Sequence, residues 1–173
     1  MKFPARALTT VAFFLTAMYG CATTPPIPVV KINAEFDSLE AAKVLTHGNN
    51  TIKGSALWRQ SGGGVVTCAG GQVGLVPATA YAIERIEHLY GNSTAGALVK
   101  QLEFEPDPVD FKVFVRSVQC DAQGYFSFTR VPDGDYFAIT SVSWAVANRM
   151  QGGPLMERVS VAGGDTKEIV LSP

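Results

Sequence analysis

The stretch DAQGYFSFTRVPDGDYF, residues 121–137, decides the fold, because it encodes a turn, a strand, a second turn and the start of another strand. Residues 121–124 form the first turn, which leads into a predicted strand, Tyr-Phe-Ser-Phe-Thr, at residues 125–129. Residues 131–134 are typical of a type I turn, with proline where φ must be near −65° and glycine at the last position. We predict a long strand over residues 136–144.

The period of two continues on both sides of this stretch. Residues 52–58 alternate, residues 73–81 place their larger side chains on one face, and residues 155–161 and 167–171 flank a glycine pair. We also predict a strand over residues 111–118, a long connection over residues 92–108 and a loop over residues 148–154. About seven strands at this spacing predict an all-β, transthyretin/immunoglobulin-like β-sandwich.

Two short segments have helical signals instead. Asp37 can cap a helix that Gly48 ends, with Glu40 three residues after the cap. Residues 82–90 place apolar side chains at helical spacing before a Gly-Asn stop. We therefore predict one or two short helices beside the sheets.

Composition suits a single turn-rich β domain. The chain has 173 residues, of which 17 are glycine and 10 are proline, and charged residues make up only 17%. Because 14 basic residues nearly balance 15 acidic ones, nothing indicates a nucleic-acid partner.

The N-terminus predicts export from the cytoplasm. Lys2 and Arg6 precede a charge-free apolar run over residues 7–19, which is the layout of a secretory signal and too short for a membrane span. Gly20-Cys21 resembles the lipobox of bacterial lipoproteins, which implies a lipid on Cys21. Ala22 favours the outer membrane, facing the periplasm. The alternative is an ordinary cleaved signal followed by a chance cysteine.

These signals and the predicted sandwich divide the chain into four segments. Residues 1–20 are a lipoprotein signal peptide, and residues 21–34, which are rich in proline, are a lipid-anchored extended tether. Residues 35–50 contain the first short helix and a lead-in, and residues 51–173 are the sandwich.

Several stretches resemble the carboxypeptidase regulatory-like domain, a transthyretin-like sandwich common in bacterial envelope proteins. They are residues 52–58, 73–81 and 159–171 and, most closely, the Asp-x-x-Gly-x-Phe-x-Phe and Pro-x-Gly-x-Tyr patterns within residues 121–137. The resemblance covers roughly residues 51–171. It implies a fold and no particular function, because its motifs are turns and aromatic residues expected in the core.

The remaining cysteines predict a disulfide. If Cys21 carries a lipid, Cys68 and Cys120 are the only thiols left, and they lie outside the cytoplasm, where disulfides persist. Each precedes a turn, so both lie at strand ends that can meet at one edge of a sandwich. The alternative is two buried, inert thiols.

No catalytic, cofactor-binding or metal-ligating residue is predicted. His47 adjoins a helix end, and His88 follows Glu84 by four residues as a surface pair. The chain has no Gly-x-Ser-x-Gly and no Cys-x-x-Cys. Trp58 and Trp144 are predicted core residues, with a sugar-stacking platform as the alternative.

We therefore predict a non-catalytic binding or scaffolding module that a lipid presents to the periplasm, with an envelope protein or a glycan as partner. The alternatives are an interaction subunit of an envelope or secretion assembly, and a hydrolase or glycan-active enzyme. A partner loop is predicted over residues 145–156, with Arg149, Met150 and Met156 as adaptable contacts. Methionines that fill a gap in the core are the other interpretation.

Overall fold

The structure is a computed structural model that describes residues 26–107 and 111–173. The predicted signal peptide, the predicted lipidation site Cys21 and the first residues of the predicted tether lie outside the described residues.

Within these ranges, two α-helices accompany eleven strands, several of them very short. The helices are α1 (Ser38–Ala42) and α2 (Ala80–Tyr90). The strands are β1 (Val29–Val30), β2 (Asn50–Arg59), β3 (Val65–Thr67), β4 (Gln72–Pro77), β5 (Ala95–Ala97), β6 (Glu103–Phe104), β7 (Arg116–Gln119), β8 (Tyr125–Val131), β9 (Gly134–Val146), β10 (Arg149–Val161) and β11 (Thr166–Leu171).

Nine of these strands form two sheets that pack face to face, which confirms the predicted all-β sandwich, and β1 and β6 form a separate pair. One sheet has five strands in the order β5-β10-β9-β4-β7. In the other sheet β2 is central: β11 pairs with it in parallel, while β8 and β3 follow one another along its opposite edge. The alternation predicted from sequence explains the core, because every second residue of each strand points between the sheets. Ile52, Phe128, Leu75 and Leu155 are there, all with 0% exposure.

The predicted helix at residues 82–90 is confirmed and begins slightly earlier. The Thr79 side chain caps it by accepting a hydrogen bond from the Ala82 amide, and Gly91 ends it with a φ of 75°. Helix α2 packs on the outward face of the five-stranded sheet, where Phe137 and Met156 are fully buried. That sheet is therefore covered on both of its faces.

The predicted loop at residues 148–154 is wrong, because residues 149–154 belong to a strand. The predicted partner contacts Arg149 and Met150 stay a prediction, whereas Met156 is buried. Strands β9 and β10 form one long hairpin whose register runs unbroken from Val146↔Arg149 to Gly134↔Val161. The turn is Ala147-Asn148, with φ values of 46° and 62°, as a two-residue hairpin turn of type I′ requires. Sequence favoured a loop because the turn lacks a glycine, while the glycines lie inside β10.

Three further stretches differ from expectation. The predicted connection over residues 92–108 contains the short strands β5 and β6. Residues 111–118 are not one strand: Phe111–Phe114 form a 3-10 turn, and only Arg116–Gln119 are extended. Residues 27–34 were predicted to belong to an extended tether, and residues 35 and 36 to the lead-in of the first helix. Instead they lie against the domain, where β1 pairs in parallel with β6.

The predicted disulfide is present. Cys68 and Cys120 have Cα atoms 5.9 Å apart, and both residues are buried. Cys68 follows β3 and Cys120 follows β7, so the bond joins the four-stranded sheet to the five-stranded sheet at one end.

Asn50 is a buried polar residue that the sequence did not single out. Its side-chain nitrogen donates to the Val131 carbonyl (2.9 Å) and the Asp133 carboxylate (2.8 Å). Its oxygen accepts from the amides of Gly164 and Asp165, both at 2.8 Å. Fully hydrogen-bonded, this one side chain holds the turns after β8 and β10 against the start of β2.

Candidate functional site

The outward face of the four-stranded sheet is the surface that no other part of the described chain covers. We call it the Tyr125 face and define it by the outward residues of three strands: Lys53, Ser55 and Leu57 of β2, Tyr125 and Ser127 of β8, and Glu168 and Val170 of β11. Their register places Tyr125, Ser55 and Val170 in one row and Ser127, Lys53 and Glu168 in the next. The face is therefore mainly polar, with one aromatic ring.

The turn before β8 fixes the position of that ring. One oxygen of Asp121 accepts from the backbone amides of Gln123 and Tyr125, both at 2.9 Å. Gly124 has a φ of 88°, and a Cβ there would lie 2.5 Å from Thr67, so only glycine fits this turn. Because Phe126 must point into the core, the alternation turns Tyr125 outward, and it is 58% exposed.

An open depression of about 410 Å³ lies beside this ring. The residues that line it are Lys53, Gly54, Gln119, Asp121, Tyr125, Phe126, Ser127 and Glu168. Within the described chain, the side chains of Lys53 and Glu168 form no hydrogen bond or ion pair, and the Tyr125 hydroxyl has no partner. The site thus combines an aromatic face with one unpaired cation, one unpaired anion and a hydroxyl, which suits a ligand that has both an apolar face and many hydroxyls.

A second depression, of about 350 Å³, lies toward the other end of the Tyr125 face. Leu57, Val170 and Pro173 give it an apolar wall, and Trp58, Arg59 and Ser172 complete it. Leu57 and Val170 belong to both this depression and the Tyr125 face, so the two depressions share one sheet surface.

The two tryptophans pack mainly against each other. Trp58 and Trp144 come from opposite sheets, with ring centroids 6.1 Å apart in an edge-to-face arrangement. Trp58 is partly buried against the core, and Gly152 lets the Trp144 ring approach the β10 backbone, because a Cβ there would lie 2.7 Å from it. Both rings are half-buried at the end of the sandwich, so the predicted core position holds only in part, and their edge-to-face packing does not form a flat platform.

The other residues singled out from sequence lie apart from the Tyr125 face. His47 is exposed after the first helix, and His88 lies 3.9 Å from Glu84 on α2, as the spacing predicted. Met156 is buried beneath α2, whereas Arg149 and Met150 are exposed at the tip of the long hairpin. Of the two interpretations of the methionines, core filling is right for Met156 alone.

The described residues contain neither a metal-site cluster nor a membrane-spanning helix. In residues 26–107 and 111–173, no three Cys, His, Asp or Glu side chains cluster as a metal site would require. None of the helices in those ranges is long and apolar enough to cross a bilayer.

Comparison with known proteins gives one structural relative of note. A crystal structure from Pseudomonas aeruginosa, that of a candidate carbohydrate-binding protein, superposes with a TM-score of 0.62 and covers 81% of this chain and 99% of its own. The two share 23% sequence identity, so the likeness shows the fold alone. No protein-family model matches the chain, and no curated protein sequence matches it.

Sequence reasoning missed Tyr125 as a surface residue, although the signal was present. The aromatic residues after the Asp121 turn were all interpreted as core. Strict alternation allows only two of them, Phe126 and Phe128, to point inward, so it already required Tyr125 to point outward.

Proposed function

We propose that this chain is a non-catalytic glycan-binding module of the bacterial envelope, held there by a lipid on Cys21. The observation that carries the proposal is the exposed Tyr125 ring beside the unpaired side chains of Lys53 and Glu168. The candidate carbohydrate-binding protein with the same fold supports it, as does the signal-like sequence before Cys21.

The chemistry of a sugar fits this surface. A pyranose ring has an apolar C–H face that packs on an aromatic ring, while its hydroxyls accept and donate hydrogen bonds around the edge. Tyrosine suits such a site because its ring is apolar and its hydroxyl is polar. Lys53 can donate and the neighbouring Glu168 can accept, so adjacent hydroxyls of one sugar can be bound without a net charge on the ligand.

The depression beside Tyr125 is open, so it suits a glycan chain that lies on the surface more than an enclosed small molecule. A glycosidase would need two carboxylates on either side of a bound sugar. Asp121, which lines the depression with Glu168, already accepts two backbone hydrogen bonds in its own turn. We therefore propose binding without hydrolysis.

Co-sedimentation with peptidoglycan sacculi and with an insoluble neutral glucan tests the proposal. The chain without residues 1–20 and with Cys21→Ser serves as the soluble form. We expect it to sediment with one of the two glycans, and Tyr125→Ala to weaken binding at least tenfold, or about 1.4 kcal/mol. Tyr125→Phe should keep most of the affinity because the ring remains.

Met150→Ala is the matched control, since Met150 is 69% exposed but lies on the hairpin tip. Equal binding by wild type and Tyr125→Ala would refute the site. Release of soluble sugar from either glycan would instead favour the enzyme.

A protein partner is a second candidate function, supported by the projecting hairpin. Within the described chain, β9 pairs only with β10 beyond Thr140, and residues 145–152 at the end of this hairpin are exposed, with Val146 at 53% and Met150 at 69%. Exposed apolar side chains at such a tip suit a protein interface. Crosslinking in intact envelopes, with Val146→Ser and Met150→Ser as variants, distinguishes this function: loss of a crosslinked partner would support it.

A further inference from the structure

The chain immediately after the predicted anchor is fastened to one side of the sandwich. We call residues 27–36 the strap. Its strand β1 pairs in parallel with β6, and two backbone hydrogen bonds extend this pairing: Glu103 N–H to Pro28 O (3.0 Å) and Glu105 N–H to Val30 O (2.9 Å). The strap is therefore hydrogen-bonded to the domain before it reaches the first helix.

Glu84 of α2 holds the middle of the strap. Its carboxylate accepts three hydrogen bonds, from the Asn33 amide (3.0 Å), the Asn33 side chain (3.0 Å) and the Ala34 amide (2.7 Å). The two backbone amides, first that of Asn33 and then that of Ala34, lower the pKa of Glu84 below its ordinary value. The carboxylate therefore stays ionised and bonded at neutral pH.

Phe36 fastens the far end of the strap. Its ring lies 5.3 Å from that of Tyr81 and 5.5 Å from that of Phe114, measured between centroids. Tyr81 belongs to α2, and Phe114 belongs to the 3-10 turn, so the strap adds a third segment to the layer over the five-stranded sheet. We call α2, the 3-10 turn and the strap together the helix layer.

The helix layer and the Tyr125 face lie on opposite sides of the sandwich. Two sheets pack about 10 Å apart, and a helix is about 10 Å across, so roughly 20 Å of protein separates them. Cys21 is five residues before Pro26, and five extended residues span at most about 18 Å. A lipid on Cys21 would thus keep the start of the strap close to the lipid headgroups.

We infer that the strap orients the anchored domain, with the helix layer toward the lipid surface and the Tyr125 face turned away from it. The inference rests on the lipid anchor of the proposed function. A free tether over residues 27–36 would add up to about 35 Å of reach and allow any orientation. Ile27 and Val29, which are 43% and 63% exposed on the strap, suit the boundary between headgroups and water.

Fluorescence quenching by a headgroup-nitroxide lipid tests the orientation. The full chain, lipidated and reconstituted in phosphatidylethanolamine–phosphatidylglycerol vesicles, carries one label on Val113→Cys in the helix layer or on Ser127→Cys in the Tyr125 face. Cys68 and Cys120 are buried in their disulfide, and the proposed lipid occupies the sulfur of Cys21, so none of the three competes for the label. We expect quenching at position 113 to be at least twice that at position 127.

Glu84→Ala tests the role of the strap, with Glu87→Ala as the control, because Glu87 bonds to Ser93 and not to the strap. Glu84→Ala should make quenching at the two positions nearly equal while the protein stays on the vesicles, and Glu87→Ala should change nothing. Phe36→Ala, which loosens the far end of the strap, should act like Glu84→Ala.

The outcomes separate the two proposals. Protein that does not float with the vesicles overturns the anchor, and thus the basis of the inference. Anchored protein with equal quenching at both positions overturns the orientation alone. An unchanged difference in both Glu84→Ala and Phe36→Ala overturns the strap as its cause.

Discussion

The outward faces of the two sheets differ in how far they are covered, although the strands of both sheets alternate between inward and outward residues. On the five-stranded sheet the outward residues include Phe137 and Met156, and α2 covers them completely. On the four-stranded sheet they include Lys53, Ser127 and Glu168, and they remain in water. An apolar outward face must be covered, whereas a polar one can stay bare, so a large exposed ring on the bare face stands out as a binding feature.

Removing the bond between the two sheets should have the largest effect on stability. Cys68→Ser opens a loop closed over a separation of 52 residues, for which chain entropy gives about 4 kcal/mol of lost unfolding free energy. Urea unfolding measures it. Adding Cys120→Ser should lower the stability little further. Two free thiols in unreduced, denatured wild-type protein would contradict the bond.

Two methionines test the difference between covered and exposed positions directly. Met156 is 0% exposed beneath α2, and Met150 is 69% exposed at the hairpin tip. Met156→Ala should cost about 3 kcal/mol through lost packing and a cavity, while Met150→Ala should change the unfolding free energy by less than about 0.5 kcal/mol. Similar costs for the two variants would show that α2 does not cover the sheet tightly.

Acid should release the strap before it unfolds the sheets. Because the pKa of Glu84 is lowered by its bonds to the strap, this contribution to docking is complete above the ordinary pKa of 4.5 and is lost as pH falls through the lowered value. Hydrogen exchange at Asn33 and Ala34, corrected for intrinsic rates, measures it. Protection should fall at acid pH in wild type and be low at every pH in Glu84→Ala, which removes all three acceptor contacts. Unchanged protection in Glu84→Ala would show that other contacts hold the strap.

Regular alternation made much of the fold predictable. The pattern of residues 121–144 predicted two strands and the turn between them, and the positions of the two thiols next to turns predicted the disulfide. The long hairpin was missed because Ala147-Asn148 adopts positive φ without glycine, and Trp144 packs against Gly152 of β10, so tertiary contacts override local signals.

The strap and the binding surface were missed for a different physical reason. Glu84 and Asn33 are 51 residues apart, and nothing local in either stretch marks their hydrogen bond. The Tyr125 face exists because β11, from the end of the chain, pairs with β2 and places Glu168 beside Lys53. Such pairings depend on topology, which the periodicity of a single segment does not encode.

Titration of the ¹⁵N-labelled soluble domain with an oligosaccharide from the glycan that it sediments with tests the central claim most directly. We expect amide shifts at Lys53, Tyr125, Ser127 and Glu168, with none on α2 or at the hairpin tip. Tyr125→Ala should abolish these shifts without altering the rest of the spectrum. Shifts confined to the helix layer or to residues 145–152, or shifts that persist in Tyr125→Ala, would contradict binding at the Tyr125 face.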